Sequence, residues 1–151
     1  MFAPVPLNLP PYPFKLIRSG NQLYILDALR KKRLLLTPEE WVRQHFVQFL
    51  ILDKKYPKSL IKLEGGLKVN TLQNRTDIVV FDKQGLPFIL VECKASNIKI
   101  NQNVFDQAAR YNTIYNVKYL VVSNGLIHYC CEMDYQKKTY TFLNELPMCE
   151  F

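Results

Sequence analysis

Two charged residues interrupt a strand-like apolar run near the middle of the chain. The segment Pro87–Cys93 (PFILVEC) is almost continuously apolar, which is typical of a central strand buried on both faces. Glu92 and Lys94 are two residues apart, so on a strand both would point to the same face. Burying such charges is costly unless they are paired or bind a ligand. The pair therefore indicates either a site that binds a ligand or, as the alternative, a strand-end salt bridge at the sheet edge.

A third acidic residue, Asp77, begins the preceding predicted strand. A turn at Lys83-Gln84-Gly85 would join the two strands as a hairpin and bring Asp77 beside Glu92. Two carboxylates suit a hard divalent cation, usually Mg²⁺, with Mn²⁺ as the substitute. A bound metal acidifies water and offsets charge on a phosphate, and Lys94 would orient or deprotonate that water or stabilise the phosphate. The arrangement suits hydrolysis of a phosphodiester.

The remaining patterns predict a mixed α/β fold around a central sheet. Thr37-Pro38-Glu39-Glu40 has the features of a helix start, with Thr37 as the cap and Glu40 completing a capping box. Apolar residues at helical spacing extend this helix to about Lys55, and a second helix is predicted from about Asn103 to Tyr115. Predicted strands in this region cover residues 60–63, 67–69, 77–81, 87–93, 119–122, 126–132 and 139–143.

The N-terminal part has a different character. Residues 1–13 contain five of the nine prolines, which favours an extended arm. Residues 14–17 and 23–26 are predicted as strands of a hairpin that turns at Ser19-Gly20-Asn21. We therefore expect a Pro-rich arm over residues 1–13 and a single domain over residues 14–151.

Positive charge is concentrated in the first half of the chain. Residues 1–76 carry 13 Lys and Arg against 5 Asp and Glu, whereas residues 77–151 carry 7 against 8. The half with the net charge of +8 suggests either a solvated basic face or a surface that contacts phosphates without reading sequence.

Three segments follow one another with short connections: residues 75–80 (RTDIVV), 90–95 (LVECKA) and 107–111 (QAARY). Together they resemble the PD-(D/E)XK nuclease superfamily, and specifically the N-terminal nuclease domain of type I restriction enzyme R subunits, over about residues 37–132. The resemblance implies a restriction-endonuclease-like core, a mixed sheet flanked by helices, that cleaves DNA with Mg²⁺. It places Asp77, Glu92 and Lys94 at the catalytic positions, with Thr76 in place of the proline of the family motif.

The resemblance also implies roles for residues outside this triad. Gln107 and Tyr111 lie four apart on one helical face and look like a Q-x-x-x-Y motif that adjoins the active site and contacts DNA. Glu39 and Glu40 are both candidates for the first-helix glutamate that approaches the metal in this family. Glu39 is favoured because Glu40 already caps the helix, and its alternative role is that of a first-turn acid that interacts with the helix dipole. Gln107 is counted with Glu39 among the catalytic residues. The backbone carbonyl of Cys93 would be a further metal ligand, and Arg75 a further DNA contact.

The function predicted from these features is a metal-dependent DNA endonuclease domain. The alternatives are a catalytically silent nucleic-acid-binding or assembly module, and a basic structural protein with a chance motif. The chain contains no Walker A sequence, so it is expected to be either a stand-alone relative or a component whose motor or specificity subunits are encoded separately, and a homodimer is a further option. Without a secretion signal or a long apolar run, we expect a cytoplasmic protein with no membrane partner.

Several other residues that often carry chemistry are given structural roles. The four cysteines show no CxxC pair and are expected to be reduced thiols. His45 and His128 are interpreted as packing or surface residues, and Ser123-Asn124-Gly125 as a turn. Glu64 is assigned to a loop or a strand pair, with a position beside the site as the alternative.

Overall fold

A computed structural model describes residues 2–65 and 76–151, and the side chains of Glu64, Thr76, Asp77 and Tyr111 are outside that description. The strands are β1 (Leu16–Ser19), β2 (Gln22–Leu26), β3 (Arg33–Leu35), β4 (Ile61–Gly65), β5 (Thr76–Phe81), β6 (Pro87–Cys93), β7 (Tyr119–Ser123), β8 (His128–Asp134) and β9 (Thr139–Leu143). The helices are α1 (Pro38–Gln48), continued by a π-helical turn (Phe49–Asp53), and α2 (Gln102–Tyr111), with 3-10 turns at Lys58–Leu60 and Asn112–Ile114. The strand predicted at residues 67–69 lies outside the described residues.

The strands form two sheets. Strands β1, β2 and β3 make a small antiparallel sheet, so the predicted N-terminal hairpin is confirmed and gains a third strand. The six other strands form one sheet in the order β4-β5-β6-β7-β8-β9. Only the β6–β7 pair in it is parallel, because the chain between them crosses over through α2. The predicted mixed central sheet is therefore confirmed.

The two long helices cover opposite faces of the six-stranded sheet. Side chains of β5 and β6 alternate between faces, so that Ile78 and Val91 pack with Val42 of α1. Val79 and Leu90 pack with the α2 side chains on the other face. Each face thus carries its own apolar core, and β6 is buried on both, as its almost continuous apolar sequence predicted.

Both helices begin where side chains cap them. The Thr37 side chain accepts a hydrogen bond from the Glu40 backbone N–H at 3.1 Å, which confirms the predicted start of α1. The Glu40 carboxylate, predicted to complete a capping box, instead accepts hydrogen bonds from Arg43 and Gln44. Asn101 caps α2 in the same way as Thr37 caps α1, by accepting from the Val104 N–H at 3.0 Å. Glu40 is therefore committed to a buried polar contact within α1.

A buried aspartate joins the small sheet to α1. Asp27 is fully buried and its carboxylate accepts hydrogen bonds from the Leu29 backbone N–H, from Arg30 Nε and, at 3.5 Å, from Gln44 Nε2. Gln44 also contacts Glu40 at 2.8 Å, so the network continues into the helix. No sequence motif indicated this connection, because its members are far apart along the chain.

The ring of His45 is packed against aromatic side chains from α1 and the N-terminal segment. It is 5% exposed, with the Trp41 and Phe14 ring centroids 4.3 Å and 4.6 Å away. Its Nδ1 donates to the Trp41 carbonyl at 2.9 Å, because a carbonyl can only accept. The predicted packing role of His45 is confirmed. Burial lowers the pKa of His45 below 6.5, and the bond to the Trp41 carbonyl acts in the opposite direction with a smaller effect.

We expect the free energy of unfolding to fall as the pH is lowered through about 6.5, the ordinary pKa of histidine. The unfolded chain binds a proton at His45 first, since the folded-state pKa is lower, so this stability is present above pH 6.5 and is lost as pH falls to the folded-state pKa. Urea unfolding of the wild type and of His45→Phe at pH 7.5 and pH 5 measures the effect. An equal loss of stability in both proteins would contradict a contribution from His45.

Candidate active site

Register, determined by backbone pairing, brings three acidic positions into one row across the sheet. Asp77 of β5 lies directly opposite Glu92 of β6. On its other side Asp77 is opposite Glu64 of β4. The predicted hairpin through Gly85, whose φ of 82° suits a tight turn, is therefore confirmed, and it places Asp77 and Glu92 as partners. Glu64 forms a strand pair, one of the two structural roles predicted for it, and its register also places its backbone beside the site, which was the alternative.

Glu92 is a buried carboxylate in the middle of the sheet. It is 1% exposed and belongs to β6, which is paired on one side with β5 and on the other with β7. Lys94 Nζ lies 3.3 Å from Glu92 Oε2, and the lysine side chain keeps 27% of its surface exposed. The predicted proximity of the two charges is confirmed, and the lysine links the buried carboxylate to the surface.

The ion pair suits both hypotheses drawn from the sequence, but the position of β6 separates them. A salt bridge at a sheet edge would lie on β4 or β9, the two outer strands of the six-stranded sheet. Glu92 instead lies on an inner strand, where replacing an ion pair by apolar side chains is often neutral or stabilising. The predicted salt bridge at the end of the strand is therefore present, but it lies on an inner strand and not on an outer one.

The strand ends near Lys94 are tied together by hydrogen bonds. The Lys94 backbone N–H donates to the Ser123 carbonyl at 2.8 Å, which extends the β6–β7 pairing by one residue. Asn124 Nδ2 donates to the Ile98 carbonyl at 2.8 Å and so holds the connection between Lys94 and α2. Ser123 Oγ accepts from the Gly125 N–H at 2.9 Å, as expected for the predicted turn. Asn124 was not recognised as an anchor, because an Asn-Gly pair indicates only a turn.

The first turn of α1 lies at this same end of the sheet. A Cβ built at Gly125, just after β7, would lie 3.1 Å from Val42 Cγ2, so α1 passes close to the β7–β8 turn. Ser123 at the end of β7 is in turn the register partner of Cys93. Glu39 lies one helical turn before Val42 and is half-buried. The structure thus brings the helix turn of Glu39 and the strand end of Glu92 to one end of the fold, on opposite faces of the sheet.

The helix with the Q-x-x-x-Y pattern covers the face of the sheet on which Glu92 lies. Glu92 lies two residues after Leu90 and therefore points to the same face of the sheet. Leu90 packs with Phe105 and Ala108 of α2 on that face. Gln107 is exposed on this helix, and Tyr111 follows at its last position. The side chain of Tyr111 and the whole of Arg75 lie outside the described residues, so their predicted DNA contacts stay predictions.

No group of three or more His, Cys, Asp or Glu side chains suited to a metal occurs among the described side chains, which do not include those of Glu64 and Asp77. The four cysteines are free thiols, as predicted. Burial raises the pKa of Cys130 to about 11 and that of Cys131 to about 12. No helix in residues 2–65 and 76–151 has the length and apolar character needed to cross a bilayer.

Comparison with known proteins connects this site to a family. The family described as Type I restriction enzyme R protein N terminus (HSDR_N) matches residues 38–147, which include both helices and the row of acidic positions. No curated protein shows a significant match to the chain.

Among solved structures, the chain is similar to a fragment from Vibrio vulnificus YJ016 that is described as an HsdR subunit of a type I restriction enzyme. The sequence identity is 20% and the TM-score is 0.48. The similarity covers 75% of this chain and 24% of the Vibrio chain, so the protein spans about a quarter of the length of that relative.

Proposed function

The chain belongs to the family of type I restriction enzyme R protein N termini, and on that basis we propose that it is a metal-dependent endonuclease domain that hydrolyses DNA phosphodiester bonds. The observation that carries the proposal is the buried carboxylate of Glu92 on an inner strand, opposite Asp77 and in contact with Lys94. Charges that packing does not require, gathered at one point of the sheet, are typical of a catalytic site. We assign the site to the PD-(D/E)XK type.

The oxygen ligands available at this end of the sheet suit a hard divalent cation. Directly opposed positions of an antiparallel pair share a face, with Cβ atoms about 4.5–5.5 Å apart, which supports joint binding by Asp77 and Glu92. Carboxylate and carbonyl oxygens are the ligands that Mg²⁺ and Mn²⁺ prefer, so the Cys93 carbonyl is a further proposed ligand. Glu39, predicted as a possible ligand, lies on the helix that covers the opposite face of the sheet and is left out of the proposed set. When bound, the cation would supply an acidified water and charge compensation at the phosphate. Glu40 is excluded from this set because Arg43 and Gln44 already bind its carboxylate.

Lys94 is the proposed catalytic cation. Its contact with Glu92 holds the ammonium group at the proposed metal site, while its partial exposure leaves it accessible to a substrate phosphate. A lysine in this place orients the attacking water or stabilises the negative charge that develops on the phosphate. Both roles require the ammonium group within hydrogen-bond reach of the reacting atoms.

The face of α2 is the proposed DNA contact nearest to the site. Gln107 is exposed on that helix, and Tyr111 lies one helical turn further along the same side. Gln107 would contact the DNA at the reacting phosphate, and Tyr111 and Arg75 would contact the adjacent DNA. On the basis of the family match, we propose motor and specificity subunits as partners, with a homodimer as an alternative means of cutting both strands.

The direct test is relaxation of supercoiled plasmid DNA by the purified protein. We expect nicked circles with Mg²⁺ or Mn²⁺ and none with EDTA. Metal binding is measured independently, as a rise in the unfolding temperature with increasing Mg²⁺ or Mn²⁺, because a ligand of the native state stabilises it. DNA binding without cleavage in either metal would contradict the proposal and favour a catalytically silent module.

A further inference from the structure

The basic residues of the N-terminal half do not form a uniform face. Lys54 is 7% exposed and its Nζ lies 3.3 Å from Glu145 Oε1. Arg43 is also 7% exposed and is paired with Glu40 at 2.7 Å. These two cations are committed to contacts inside the protein. The net charge of this half therefore has to be assigned residue by residue.

Two neighbouring surface clefts contain a subset of the other basic residues. The larger cleft, of about 620 Å³, is lined by Arg30, Lys58 and Lys62, and none of the described side chains that line it is acidic. The smaller, of about 310 Å³, is lined by Lys15, Lys31 and again Lys58. Asp27 also lines it, but it is fully buried and forms an ion pair with Arg30. Lys58 lies on the wall of both clefts, which makes them one continuous basic surface.

This surface follows the outer strand that leads to the proposed active site. Its lining includes Ile61, Lys62 and Leu63 of β4, the outer strand on this side of the six-stranded sheet. Lys62 is exposed and lies two residues before Glu64, the register partner of Asp77. Two residues along a strand correspond to about 7 Å and to the same face of the sheet. The basic surface therefore reaches the row of acidic positions from the side of β4.

We propose that the two clefts, lined by Lys15, Arg30, Lys31, Lys58 and Lys62, bind the phosphate backbone of double-stranded DNA and guide it to the row of Glu64, Asp77 and Glu92. This inference rests on the proposed nuclease function and adds the surface that holds the substrate. A lysine-lined surface contacts phosphates as point charges and carries no base-reading geometry, so the binding is independent of sequence and sensitive to salt.

The test compares two double variants with the same net charge. Lys58→Gln/Lys62→Gln removes two cations from the clefts, while Lys83→Gln/Lys137→Gln removes two exposed lysines from the β5–β6 and β8–β9 turns. Binding of a 25-base-pair duplex is followed by fluorescence anisotropy in EDTA over a series of salt concentrations. We expect the cleft variant to bind about tenfold more weakly, with a slope of log affinity against log salt reduced by about 2, near 0.9 for each lost phosphate contact. The turn variant should bind like the wild type.

Equal affinity and salt dependence in the two variants would overturn this inference, as would a wild-type protein that does not bind the duplex. Because the measurement excludes metal, it does not depend on cleavage. A protein that binds DNA through Lys58 and Lys62 but nicks no plasmid would contradict the nuclease proposal alone. A protein that nicks plasmid with unchanged affinity in the cleft variant would contradict only the binding surface. Circular dichroism spectra of both variants establish that the fold is retained.

Discussion

Replacing Lys94 with alanine is expected to lower the rate of Mg²⁺-dependent plasmid nicking by about 10²–10⁴-fold, the range for loss of a positioned acid, base or charge-stabilising group. The physical reason is that Lys94 Nζ is held 3.3 Å from Glu92 Oε2 at the proposed metal site and extends to the surface. Single-turnover nicking at saturating DNA measures the effect on the chemical step. The matched control is Lys83→Ala, which removes an exposed lysine from the β5–β6 turn and should leave the rate unchanged.

Two further variants separate a loss of chemistry from a loss of structure. Asp77→Asn and Glu92→Gln keep the size of each side chain but reduce its affinity for a hard cation. We expect both to abolish nicking and to remove the stabilisation by Mg²⁺, whereas Lys94→Ala keeps that stabilisation. Nicking at the wild-type rate by folded Lys94→Ala protein would contradict a catalytic role for Lys94. If metal stabilises Asp77→Asn and Glu92→Gln as much as the wild type, these two carboxylates are not the metal ligands.

Replacing Asp27 with alanine is expected to lower the free energy of unfolding by about 2–4 kcal/mol, because the buried Gln44 amide and the part-buried Leu29 N–H lose their acceptor. The Asp27 carboxylate accepts from the Leu29 N–H and from Gln44 Nε2 and forms the ion pair with Arg30. Arg30 can turn to solvent, since 39% of its side chain is already exposed, so the cost comes mainly from the buried donors. Urea unfolding at pH 7.5 measures the change.

Asp82 provides the control for Asp27. Its carboxylate also accepts backbone N–H groups, those of Gln84 and Leu86 at 2.9 Å, but in an exposed turn. Because water can replace the lost acceptor there, we expect Asp82→Ala to cost about 1 kcal/mol or less. Equal destabilisation by the two substitutions would show that the buried network between the small sheet and α1 contributes little.

Local patterns in the sequence were sufficient to predict most of the helices and strands. The run Pro87–Cys93 coincides with β6, and the Thr37 cap with the start of α1, since apolar periodicity and capping act over a few residues. The first helix was expected to extend to about Lys55, whereas α1 ends at Gln48 and a π-helical turn continues to Asp53. The second helix was expected to extend to Tyr115 and ends at Tyr111, where a 3-10 turn follows. Helix ends depend on tertiary packing, which local patterns do not record.

By itself the sequence determined the charged pair in the apolar strand and its hairpin partner. Glu92, Lys94 and Asp77 are joined by a short turn, so strand alternation and hairpin geometry were enough to place them together. Only the tertiary structure decided that Glu64 joins the row, and that some of the basic residues line one surface while Lys54 and Arg43 are buried and form ion pairs. These properties depend on strand order and on contacts between residues far apart in the chain. Such contacts leave no periodic trace in the sequence, because many different pairings are compatible with the same local pattern.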